Sequence, residues 1–289
     1  MYRNKSNLEE EAYDPNHIAL VLADMLINFP RYFSEFASDK QKLAERYELA
    51  ISGFENVQIR YQELFNLDTL DDYTYNPSGF KSDLKKKAPI IKGALFAQTK
   101  AMDKYKAAFK ETPGSRMLEI TTNIVQFGRS FVKEFNWSEQ LQTDSPTALG
   151  VSELDGEPFT AHGVIGGGIR SHFLYQLYPD AFPNRGQNAI WACYFLVNRQ
   201  DYGFPGGSEF LMIEPDGSGT QQNYSYPYDL FNYYAIRLFK TLEEHSLAQD
   251  YHLFHRYRYV YLNSFLDHVA NVHREDINFL KPQNDELYY

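Results

Sequence analysis

Apolar residues recur at helical spacing through most of the first half of the chain. From Pro15 to Phe36, the positions Ile18, Leu22, Met25, Leu26 and Phe29 fall on one helix face, and Pro30 is expected to break or kink the run. A longer pattern through Leu43, Tyr47, Phe54, Tyr61 and Leu64 predicts a helix from Lys40 to Leu67. Residues 68–79 are polar and end on Asn76-Pro77-Ser78-Gly79, a turn signal. A third helix is expected from Ser82 to Lys110 and a fourth from Ser115 to Phe135, after Pro113-Gly114. Residues 136–162 lack a period. Asp144-Ser145-Pro146 marks the junction between a helical N-terminal region, residues 1–140, and a C-terminal region, residues 141–289.

In that second region the period changes. Two short helices are expected at 169–178 and 186–198, the second apolar nearly all round from Trp191 to Leu196. The runs 209–214 and 220–226 flank an Asp-Gly turn and read as a β-hairpin. Asp229 is placed to cap a helix through Leu247, and a last helix spans Tyr251 to His273. The fold class is therefore mainly α with a small β-hairpin element (α+β).

Composition refines this picture in three ways. The aromatic share is 16%, with 23 tyrosines, more than a core of this size uses without some reaching the surface. The stretch from Gln221 to Tyr234 mixes tyrosine with Asn, Gln and Ser, as adaptable binding surfaces do, so Tyr224, Tyr226, Tyr228, Tyr233 and Tyr234 are candidates for a protein interface. The formal net charge of −10 argues against a bulk nucleic-acid binder, although a local basic patch remains compatible with it. The single cysteine, Cys193, sits in an apolar run and reads as a buried, inert thiol. The first residues lack an apolar signal region, and no apolar run approaches membrane-span length, so a soluble, cytoplasmic protein without membrane contact is expected.

Catalytic signatures are missing. There is no Gly-x-Ser-x-Gly elbow, phosphate-binding Gly-x-x-x-x-Gly-Lys loop or His-Glu-x-x-His helix. His252 and His255 lack the further ligands that zinc needs, so neither a metal nor a cofactor is expected. Glu209 and Glu214 read as solvated hairpin ends, and Lys81, Lys85, Lys86 and Lys87 as a solvated helix start.

The stretch with most chemical content is Gly163-Val-Ile-Gly166-Gly167-Gly168-Ile-Arg170-Ser-His172. Its glycines do not have dinucleotide-loop spacing. Residues 163–196, with Phe182-Pro183-Asn184-Arg185-Gly186 before the next helix, resemble the hairpin and helix entry of the helix-hairpin-helix DNA glycosylase superfamily. That resemblance implies that the glycine N–H groups approach a DNA phosphate. The catalytic Asp and Lys of that superfamily are not retained: Gly186 and His172 stand near their places. Gly166, Gly167, Gly168, Arg170, His172 and Arg185 are thus candidates for phosphate or partner contact, with close helix packing as the plain alternative.

Three functional readings follow. The leading one is a non-catalytic macromolecular-interaction protein, homo-oligomeric, that regulates or inhibits nucleic-acid-handling and defence-related machinery through protein contacts. The second is a nucleic-acid binder using the glycine turn. The third is an enzyme with a scattered site, to be sought first at His162, His172, Asp180 and Arg185.

Overall fold

Aspartate and asparagine caps start the first four helices in the computed structural model, which describes residues 11–204, 208–213 and 219–281. Asp14 accepts from the N–H groups of Asn16 and His17, and Pro15 opens α1 (Pro15–Phe36). Pro30 lies inside this helix, on its exposed side, and does not end it. Asp39 caps α2 (Lys40–Leu64), and Asn66 caps α3 (Leu67–Asp72). The predicted second helix thus stops three residues early, because the Asn66 side chain offers the chain a fresh start.

The expected third helix is divided. Asn76 caps α4 (Pro77–Lys87), Ala88 is extended, and Pro89 opens α5 (Pro89–Phe96). Proline has no N–H to continue the ladder and disfavours helical geometry at the residue before it. After a short 3₁₀ turn come α6 (Asp103–Glu111) and the long α7 (Gly114–Glu134). The aperiodic segment holds one short helix, α8 (Trp137–Gln142), and three 3₁₀ turns.

In the second region α9 (Gly167–Leu177) and α10 (Gln187–Leu196) lie close to prediction. The hairpin is present as β1 (Leu211–Ile213) paired antiparallel with β2 (Thr220–Gln222), in register Met212 to Gln221. Its turn falls outside the described residues. The helix α11 (Tyr228–Leu247) begins one residue before Asp229, so Asp229 is not its N-cap. Instead Asp229 is buried and accepts from Tyr13 and Ser152 at 2.5 and 2.7 Å. The last predicted helix starts late, as α12 (Arg258–Val272), and α13 (Arg274–Leu280) follows.

One hydrophobic core runs through both sequence regions. Met25, Phe29, Phe36 and Tyr47 from the first join Trp191, Phe231, Tyr261 and Phe265 from the second. Phe29 and Phe265 rings lie 4.5 Å apart, and Tyr47 meets Tyr261 edge-on at 4.7 Å. Each fully buried ring of this kind stabilises by about 1.5–3 kcal/mol relative to exposure. Residues 1–140 and 141–289 therefore differ in local structure but share their interior. Among the described residues, no helix is long and apolar enough to cross a membrane.

Candidate functional site

The glycine run is built around a single close approach. A tight turn closes at residues 161–165, with Gly163 at φ +74°, a conformation that favours glycine. Gly166 then leads into α9. A Cβ on Gly167 would lie 1.6 Å from Nη2 of Arg185, so any larger residue there would have to displace that guanidinium. Gly168 has no such neighbour: its nearest contact would be 3.6 Å away.

Arg185 is 3% exposed and reaches inward from the loop before α10. Its guanidinium donates to the carbonyl of Tyr224 at 3.0 Å and to that of Tyr226, while its own N–H donates to Ser171 Oγ on α9. Burial pushes its pKa down to about 10, so it remains charged at neutral pH. Arg170, also buried, donates to Asp155 and to Thr160 Oγ1. The second oxygen of Asp155 accepts the N–H of Tyr228, the first residue of α11, at 2.7 Å. Together these groups tie the start of α9 to the start of α11. Of the residues expected to contact phosphate or a partner, Arg170 and Arg185 have their charged groups inside, on internal acceptors, and make a junction rather than an outward grip.

His172 faces the other side of α9. It is desolvated among Tyr61, Tyr175 and Gln176, and burial pushes its pKa down to about 4 against the opposing effect of Asn184. Asn184 donates to Asn263, and both Asn263 and Asn188 donate to Asp267 at 2.8 and 2.9 Å. Burial raises the Asp267 pKa in spite of those bonds. This polar string fastens the 184–188 loop to α12. The other scattered candidates do not assemble: His162 is exposed and paired with Glu157, and the Asp180 carbonyl accepts from Arg258.

The tyrosine-rich stretch is largely interior, which corrects its expected role as a surface. Tyr226, Tyr228, Tyr233 and Tyr234 are buried, and only Tyr224, 58% exposed, is available. The hydroxyls explain how: Tyr226 donates to Glu209 at 2.7 Å and Tyr228 to the Pro183 carbonyl at 2.9 Å. A tyrosine whose polar tip finds a partner packs like a phenylalanine. Glu209 is likewise buried, between Tyr226 and His17, and is not a solvated hairpin end. Glu214 lies outside the described residues. Cys193 is buried as expected, and burial raises its thiol pKa.

A surface feature emerges where the sequence was read as bland. Lys85, Lys86 and Lys87 do not start a helix; they form the last turn of α4, where the helix dipole favours cations. Residues 81–110 contain nine lysines, no arginine and two aspartates, a formal charge of +7 on a chain whose total is −10. The helices α4, α5 and α6 turn this segment back on itself around an open groove of about 550 Å³. Lys81, Lys85, Lys106 and Lys110 rim it, Leu95, Phe96 and Phe109 provide apolar lining, and no carboxylate lines it.

Internal bonds fix the groove's shape. Lys81 Nζ donates to the carbonyls of Lys110 and Thr112, both at 2.8 Å, holding the end of α6 against α4. Asp83 is occupied by Lys87 and Tyr73, at 2.7 and 2.5 Å, and Asp103 by Lys106 at 3.2 Å. No ion pair within the described residues engages Lys85 or Lys110. Window-by-window charge counting, rather than the net charge, is the sequence signal that finds this site. Among the described residues, no group of three or more His, Cys, Asp or Glu is placed to hold a metal ion. Compared with protein-family models, with curated proteins and with solved structures, the chain matches none.

Proposed function

We propose that this chain is a non-catalytic macromolecular-interaction protein that engages an anionic partner through the lysine groove of α4, α5 and α6. The observation that carries the reading is charge segregation: a +7 segment folded around one concavity, on a chain of net −10. Such a field concentrates anions locally while the rest of the surface repels them. An acidic remainder also suits a basic protein partner, which fits a regulator or inhibitor of nucleic-acid-handling machinery. The glycine turn is not the contact in this reading, because Arg170 and Arg185 are committed to internal acceptors.

Retention on immobilised heparin tests it. The intact protein is expected to bind despite its acidic charge and to elute with salt. Lys85→Glu with Lys110→Glu should abolish retention, whereas Lys40→Glu on α2 should not. Equal retention of all three proteins would sink the reading.

A specific observation also favours self-association. Leu20 and Ile27 stand two turns apart on the outer side of α1, 52% and 74% exposed, with Ala23 exposed between them. Light scattering is expected to give a mass of at least two chains, falling to one with Ile27→Glu. A single-chain mass for the unaltered protein would remove this part.

A further inference from the structure

Taking the anion-binding groove above as its premise, we infer that the groove holds single-stranded nucleic acid, with a base stacked on Phe96 and neighbouring phosphates on the surrounding lysines. Four features favour that occupant. The groove combines apolar lining with a cationic rim, so it suits a ligand that alternates flat apolar faces with negative charges, as an unpaired strand does. Phe96 is 64% exposed, and Lys85 Nζ lies 5.8 Å from its ring centroid, so an aromatic face and a cation are presented together. Phe109, at the buried side, has Lys81 Nζ 5.4 Å from its centroid.

The third feature is the absence of arginine between residues 81 and 110. Lysine acts as a compact point charge without the fixed fork of arginine, which suits a sequence-tolerant contact along a phosphate chain rather than bidentate readout of one group. The fourth is size. A volume of about 550 Å³ accommodates a short unpaired segment. A duplex keeps its bases stacked inside and would leave Phe96 nothing to cover. An anionic membrane is a broad surface that would meet Phe96 but not Phe109, which is recessed at only 5% exposed.

Fluorescence anisotropy with a labelled short oligothymidylate, the matching duplex, an oligoglutamate peptide and phosphatidylserine vesicles tests the inference. The single strand is expected to bind tightest. With Lys106 paired to Asp103 and three rim lysines outside any ion pair among the described residues, its affinity should fall about 20-fold between roughly 50 and 200 mM salt. Phe96→Ala should weaken single-strand binding about tenfold, Phe96→Trp should restore it, and neither should alter the circular dichroism spectrum. Lys85→Glu with Lys110→Glu should abolish it. If duplex, peptide or vesicle binds as tightly as the single strand, or if Phe96→Ala changes nothing, the inference falls while anion binding by the groove survives. If none of the four probes binds, or binding ignores the lysine reversals, both fall together.

Discussion

At the scale of single residues, the glycines of the 166–168 run are not equivalent. Gly167→Ala drives a methyl group into the Arg185 guanidinium, and overpacking of this kind costs about 1–3 kcal/mol. Gly168→Ala meets only ordinary contact and trades a flexible helical residue for a better one, a gain of about 0.5–1 kcal/mol. Urea midpoints should therefore move in opposite directions for the two variants. Equal shifts would mean that the guanidinium does not occupy the space beside Gly167. His172 supplies a pH signature. Its folded pKa of about 4 lies below the unfolded value, so the unfolded chain binds the extra proton between about 4 and 6.5. This contribution is fully present above pH 6.5 and is lost as pH falls toward 4, amounting to about 3 kcal/mol. His172→Gln should flatten that part of the stability profile in urea titrations across this range.

At the scale of elements, the junction between α9 and α11 depends on one carboxylate. Asp155 accepts from Arg170 with one oxygen and from the Tyr228 N–H with the other. Asp155→Ala leaves a buried guanidinium short of a partner and the first turn of α11 uncapped. Because Asp155 is itself more than a third exposed, solvent moderates the loss to about 1–3 kcal/mol. Hydrogen exchange should quicken first at residues 228–232, before the rest of α11. Uniform exchange changes along the chain would argue against a local latch. Element boundaries were legible in sequence at Pro15 and at Pro113-Gly114, but not at Asn76, which caps a helix where a turn was expected, nor at Pro89, which divides the helix expected from Ser82 to Lys110. Nor was the start of α11. Asp229 has the chemistry of a cap, but Tyr13 and Ser152, distant in sequence, claim its carboxylate.

At the scale of the whole molecule, the shared core predicts one cooperative transition. Rings from α1 and α2 pack directly on rings from α12, so neither sequence region keeps its interior without the other. Urea unfolding followed by circular dichroism and by tryptophan fluorescence should coincide, and residues 1–140 alone should lack cooperative unfolding. Two separate transitions would restore a two-domain division near residue 140. Charge also belongs to this scale. A net value of −10 describes the chain as a whole, yet residues 81–110 carry nine lysines, four of which rim the groove between α4, α5 and α6.

The order of residues alone determined the mainly helical class with a small hairpin, the main helices of both regions and the burial of Cys193. Those properties follow from periodicity, caps and local composition, which act over a few residues. Only the tertiary structure decided which polar groups face inward. Arg170, Arg185, Glu209 and four of the five interface tyrosines have the composition of a surface, and the partners of the Arg170, Arg185, Glu209, Tyr226 and Tyr228 side chains lie from 10 to more than 190 residues away in the chain. The lysine groove has the same origin in reverse. Its lysines are plain in the sequence, but Pro89 breaks the expected helix, α6 folds back on α4, and a linear run of charge becomes a concave one.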